Sequence, residues 1–167
     1  MNGKIFAGKI YSNDWIFEER SGDPDYWKKR MLNLCREFIF LQMIQHPNII
    51  RLEELIRTSS NYYSVLEYAN GGSLQDLLNA KKRFSEKVAK QCISQIIQGC
   101  SALSRLRIMH RDLKLNNILA HFPDRPNNKK ISPVDIDLES ERFEIKITGL
   151  RNAIEYKKLP EIHNDRA

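Results

Sequence analysis

Asp112 stands five residues before Asn117, with Lys114 between them, in the run His110-Arg111-Asp112-Leu113-Lys114-Leu115-Asn116-Asn117-Ile118-Leu119. A carboxylate can accept the proton of an attacking hydroxyl, and an amide oxygen can hold a metal that bridges phosphates; phosphoryl transfer needs both. The plainer alternative is a polar turn after a helix, in which His110 and Asp112 cap and Lys114 is solvated. Ten consecutive residues of this kind, flanked by apolar Ile108-Met109 and Ile118-Leu119, weigh against that alternative.

The run reproduces H-R-D-L-x-x-x-x-N at each fixed position, and on it the chain resembles the protein kinases. The resemblance implies an α+β, partial kinase-like bilobal fold. Residues 1–68 would be part of the small lobe, 69–155 the hinge and the start of the large lobe, 121–142 an inserted loop and 156–167 a tail. It also implies roles: Asp112 as base or substrate-positioning group, Lys114 on the transferred phosphate, and Asn117 on a metal. A lysine at the position of Lys114 is typical of serine/threonine-specific members. Lys114 to Phe122 look most like the autophagy-initiating kinases of that group.

Those groups need elements to hold them. Phe6-Ala7-Gly8-Lys9-Ile10 resembles the strand whose V-A-I-K pattern offers a lysine to ATP, and its alternation suits a strand. Arg36 to Leu52 resemble the small-lobe helix followed by H-P-N-I, with Glu37 as the expected ion-pair partner of Lys9. Leu34, Phe38 and Leu41 form an apolar stripe at helical spacing. The helix is expected to open at Asp23, with Pro24 in its first turn, and to stop before Pro47. Val65 to Leu74 resemble the hinge between lobes, with Leu66 as gatekeeper and Glu67 to Ala69 offering backbone groups to an adenine. Ala7 and Leu119 would touch that adenine. Gly71-Gly72 read as a turn before a short helix capped by Ser73, and Ser85 as the cap of a long helix. Along that long helix Ala89, Cys92, Ile93, Ile96, Ile97, Cys100 and Leu103 recur at helical spacing and are expected in the core. Strands are expected near 4–11, 50–57 and 62–68, and helices near 24–45, 73–80 and 86–106. The resemblance further implies a column of Leu41, Leu52, His110 and Leu150.

Two parts of the kinase pattern are missing. The seven glycines form no G-x-G-x-x-G, and Asn2-Gly3 look like the hairpin turn into the Lys9 strand, so the chain is expected to begin at the third strand of the small lobe. Phe143 to Arg151 resemble the strand leading to D-F-G, with Gly149, Leu150 and Arg151 at its three positions. Gly149 thus occupies the position of the usual metal-binding aspartate, and moving the register by one brings only Thr148, whose hydroxyl carries no charge for Mg²⁺. Losing one charge-stabilising group at a transition state costs about 10²–10³ in rate. Impaired catalysis is the expectation, with ATP and Mg²⁺ the family's cofactors and their binding weak.

Composition bounds the rest. The 167 residues, 41% hydrophobic, suit one core. A mean hydropathy of −0.52 and the lack of a membrane-length apolar run predict a soluble, cytoplasmic protein without a membrane span. Cys35, Cys92 and Cys100 fall at helical core positions without metal-ligand spacing and are expected as reduced thiols. The net charge of +6 resides in short, scattered clusters at 28–30, 81–83 and 129–130 with no aromatic reader pattern, so protein, not nucleic acid, is the expected partner. The stretch 121–142, with Pro123, Pro126 and Pro133, is expected to be an exposed, mobile loop. Three readings follow: a pseudokinase-like binding module, a fragment of an active serine/threonine kinase, or a truncated, poorly folding product with an exposed interaction surface.

Overall fold

The computed structural model describes residues 5–17, 25–126 and 129–156. A small α+β layer precedes a mostly helical one, joined at residues 67–73. Strand β1 (Phe6–Ser12) lies antiparallel to β3 (Asn61–Glu67), which pairs on its other edge with β2 (Leu52–Arg57), giving the order β1-β3-β2. A bulge between Leu52 and Glu54 shifts the β2 register. The expected asparagine-glycine turn lies outside the described residues.

Between β1 and β2 run the five-residue α1 (Asn13–Phe17) and the long α2 (Tyr26–Met43). Arg30, Leu34, Glu37 and Leu41 recur at one helical face and are buried. The residue before a proline is driven from the α region, and Ile44, already extended at φ −98 and ψ 119, ends the helix ahead of Pro47. The expected start at Asp23 and Pro24 lies outside the described residues.

Beyond the hinge, α3 (Leu74–Lys81) opens with a capping box: Ser73 accepts the N–H of Asp76, and Asp76 accepts that of Ser73. Helix α4 (Glu86–Arg105) is capped by Ser85, as its sequence requires. The catalytic run follows β4 (Ile108–Met109) and leads into β5 (Ile118–His121). That strand pairs antiparallel with β6 (Glu144–Ile147), while β7 (Ile154–Glu155) returns to β4.

Three apolar clusters hold this together. One joins α3, α4, β5 and β6 through Leu77, Val88, Cys92, Ile118 and Ile145; a second joins the layers through Leu41, Ile49, Leu66, Ile147 and Leu150. The third, of Tyr11, Ile16 and Leu34, seats α1 on β1 and α2. Strand β6 also bonds to the small layer: Ile50 N–H reaches Ile147 O at 2.8 Å, and Ile147 N–H reaches Asn48 O at 2.9 Å. Buried Asn48 adds bonds from Nδ2 to Ile145 O and to Gln95 Oε1, both 3.0 Å. Gly99 is where α4 comes closest to this crossing: a β-carbon there would stand 2.7 Å from Ile147 Cδ1 and 3.0 Å from Asn48 O.

Three expectations need correction. Ile93 and Ile97 are not core but 55% and 61% exposed, because α4 turns Val88, Cys92, Gly99 and Leu103 inward. No element among the described residues covers the opposite face. Cys35 is exposed on α2 rather than buried. The stretch 121–142 is not simply exposed: Phe122, Ile131, Ile136 and Leu138 enter the first cluster, and Asn70 secures its start by accepting Phe122 N–H and donating to Phe122 O. No helix among the described residues is long and apolar enough to cross a membrane.

Candidate active site

Lys9 and Tyr11 alternate with Gly8 and Ile10 along β1, so both face α2. There Glu37, 3% exposed, accepts Lys9 Nζ on Oε1 and Tyr11 OH on Oε2, each at 2.7 Å. Tyr11 was not singled out by sequence; its place two residues after a strand lysine was the available signal. Burial, then the charge of Glu37, pushes the Tyr11 phenol far above its ordinary range, so it remains a donor.

Ala7 pairs with Leu66 across the β1–β3 ladder, and Ala7 and Leu119 both pack on the second cluster, from opposite layers. Of the hinge groups, Glu67 has already given its N–H to Arg51 O at 2.9 Å, so its carbonyl is what it can offer a base. Its side chain accepts Arg51 N–H and lies 3.5 Å from buried Lys146 Nζ, which is also 3.3 Å from Glu144. Lys146 therefore ties β6 to the hinge, a link that its place in an apolar strand concealed. Ala69 follows in the irregular segment that leads to Asn70 and Gly71.

The catalytic run is closely knit. Asp112 N–H donates to His110 Nδ1 at 3.2 Å; His110 is therefore the Nε2–H tautomer, donating to Thr148 O at 2.9 Å. Lys114 Nζ donates to Asp112 Oδ1 at 2.9 Å, while Asn117 Nδ2 donates to Asp112 O at 2.7 Å and Oδ2 at 2.9 Å. The bonds from Lys114 and Asn117 hold the Asp112 carboxyl below the usual carboxylate range. Asn117 further receives Thr148 N–H on its backbone oxygen at 2.9 Å, which brings Gly149 against its side chain.

Gly149 adopts φ 85 and ψ 38, a left-handed conformation that glycine takes without penalty. A 3₁₀ turn over Leu150–Asn152 follows, burying Leu150 beside Leu41 in the second cluster, with Leu52 packed against it. His110, the remaining member of the expected column, is buried and tied by its hydrogen bonds. Arg151 lies over the Trp15 ring at 4.5 Å, and Arg30 over the same ring at 4.6 Å. In the basic cluster at 28–30, Lys28 is paired with Asp25.

Mg²⁺ demands near-octahedral oxygen ligands, usually including one or two carboxylates together with phosphate oxygens. Here both Asp112 oxygens are engaged by Lys114 and Asn117, and residue 149 has no side chain. Among the described residues no cluster of His, Cys, Asp and Glu has metal-binding form. Position 149 therefore offers Mg²⁺ no carboxylate.

The lysine–glutamate pair and the hydrogen-bonded His110–Asn117 loop are thus both formed, and the sequence matches the family described as protein kinase domain over residues 1–138. The chain belongs to the protein kinase family. It is 41% identical over 127 residues to human "Hormonally up-regulated neu tumor-associated kinase", covering 76% of this chain and 17% of that protein. It is 34% identical to rice "CBL-interacting protein kinase 17", covering 78% of this chain and 26% of the relative. It is 35% identical to "Probable serine/threonine-protein kinase fhkD" of Dictyostelium discoideum, covering 81% and 17% respectively. The chain thus spans about a sixth to a quarter of these relatives. None of the three bears the name of an autophagy-initiating kinase. Members of the family generally use ATP and Mg²⁺; the match ends at residue 138, before the Gly149 turn.

Proposed function

We propose that this chain is a pseudokinase-like module of serine/threonine kinase ancestry, which receives an adenine nucleotide between its two layers and transfers phosphate poorly or not at all. The cleft would lie between the small-lobe part, through residue 68, and the large-lobe start at 69–155. Ala7 and Leu119 would enclose the adenine, Glu67 and Ala69 would offer it backbone groups, and Lys9, oriented by Glu37, would meet the α and β phosphates. The observation that carries this reading is Gly149, in a left-handed turn against Asn117, where the family keeps a carboxylate. Asp112, the one carboxylate of the His110–Asn117 loop, already accepts Lys114 and Asn117. Three free cysteines suit a reducing, cytoplasmic setting, and a protein is the partner that the family suggests.

The test is nucleotide titration with and without Mg²⁺, followed by thermal unfolding, beside a serine-peptide phosphorylation assay. The expected result is weak stabilisation by ATP with little metal dependence, and phosphorylation at background. Strong, metal-dependent stabilisation and robust phosphorylation abolished by Asp112→Asn would overturn it.

One observation favours a second reading, a segment of an active serine/threonine kinase. The Lys9–Glu37 pair is intact, and the relatives are several times longer than this chain. Phosphate transfer by Asp112, Lys114 and Asn117 in a longer polypeptide containing this sequence would support it.

A further inference from the structure

Glu37 is a buried anion with two donors, and both come from one strand. Lys9 and Tyr11 are two residues apart on β1, each 2.7 Å from a different oxygen of the same carboxylate. Family pairing accounts for the lysine alone. Terminal carboxylate torsions are broad, so a glutamate held by a single donor can turn about its last bond and carry that donor with it. A second donor on the other oxygen removes this freedom.

We infer that Tyr11 is a positioning residue: its hydroxyl fixes the Glu37 carboxylate, so that Lys9 is presented at one place in the phosphate end of the cleft. The surroundings suit that task. Tyr11 is 5% exposed, its ring meets Phe38 edge-on at 5.9 Å and Trp15 at 6.4 Å, and Lys9 Nζ lies 5.2 Å from its centroid. With the ring clamped, the hydroxyl is held at Glu37 Oε2, with the buried Ser64 hydroxyl as its other polar neighbour. The raised phenol pKa keeps it a donor throughout the working pH range, and the positive charge of Arg151 is close enough to be felt there. Tyr11 thereby joins β1 and α2 at one point. Trp15 contributes to the same point by stacking under Arg151.

This inference rests on the nucleotide reading only for its ligand. The experiment compares ATP with adenosine on wild type and Tyr11→Phe, a change that keeps the ring and removes only the hydroxyl. ATP affinity should fall roughly three- to tenfold, the worth of one hydrogen bond, while adenosine affinity stays put. A tyrosine needed only for packing would leave both unchanged in Tyr11→Phe. In a Glu37→Gln background the same substitution should change ATP affinity no further. Equal loss for both ligands, or no loss for either, would overturn the inference.

A wild type that binds neither ligand would refute the nucleotide reading instead. The Tyr11 inference would then be decided by urea unfolding, through the coupling between Lys9→Met and Glu37→Gln. That coupling should shrink in the Tyr11→Phe background; an unchanged or larger coupling would overturn the inference.

Discussion

Gly149 faces Asn117 so closely that a β-carbon on the glycine would stand 2.8 Å from Asn117 Cγ, at φ 85. Any side chain at 149 must therefore move the asparagine and accept a left-handed backbone. For Gly149→Ala the expected cost is about 1–2 kcal/mol, a fall in Tm of roughly 2–8 °C for a chain of this size. Gly149→Asp should pay a similar cost, since aspartate tolerates this region better than most residues but still displaces Asn117. Unlike alanine, it should make nucleotide binding respond to Mg²⁺ while peptide phosphorylation stays at background. Differential scanning fluorimetry of both variants, with and without ATP and Mg²⁺, separates the two effects.

Removing the lysine from an ion pair whose glutamate is buried costs more than changing both partners. Lys9→Met leaves Glu37, 3% exposed, with only the Tyr11 hydroxyl, and should destabilise the fold by about 1–3 kcal/mol. Lys9→Met combined with Glu37→Gln should recover part of that loss. Urea midpoints of the two proteins check the order; a double variant weaker than the single would contradict it.

The cysteines should react in order of exposure. Cys35 is exposed, Cys100 partly covered, and burial pushes the Cys92 thiol up to about 11. At pH 8, iodoacetamide followed by mass spectrometry should label Cys35 first and leave Cys92 for last. Because the folded Cys92 pKa exceeds its ordinary value of 9.0, the unfolded chain releases that proton first. Stability should therefore decline as the pH rises from about 9 to 11.

Asp112 works in the opposite direction. Its folded pKa is lowered by Lys114 and Asn117, so the tie it makes is present above the ordinary value of 3.8 and is lost as the pH falls through the folded pKa. Amide chemical shifts of Asp112 and Asn117 should be flat from neutral pH to about 5 and move only in more acidic solution.

The two faces of α4 should respond unequally to substitution. Ile97→Gln, on the exposed face, should change stability by no more than about 0.5 kcal/mol. Ile147→Ala, at a fully buried position of the strand that α4 packs against at Gly99, should cost about 2–5 kcal/mol. Urea unfolding measures both.

Much of this was legible in the residues because their signals are local. The expected strands and helices match β1, β2, β3, α2, α3 and α4 to within a few residues. The caps Ser73 and Ser85 act within one helical turn of themselves, so sequence suffices to see them. Helix α1 escaped because five residues are too few to show a period. Which isoleucines of α4 are covered depends on neighbours distant in the chain, and a regular repeat alone does not say. The stretch after β5 looked loop-like through its prolines and charges, while its buried residues, Phe122, Ile131, Ile136 and Leu138, are too far apart to form a pattern. Lys146 and Gln95 were opaque for a related reason: both are polar residues made useful only by partners across the fold, Glu67 for one and Asn48 with Ile145 for the other.

The isolated parallel bridge between Ile49 and Ile147 is one of several ties between the layers. The covalent hinge near Asn70, the hydrogen bonds that Asn48 and Ile50 share with Ile147, the packing of Leu41 with Leu150 and the stacking of Arg151 on Trp15 all cross the same boundary. Lys9 and Glu37 both lie on the small-layer side of it. The distance between them is therefore set within one layer, by β1 and α2, and not by the ties that cross to the other.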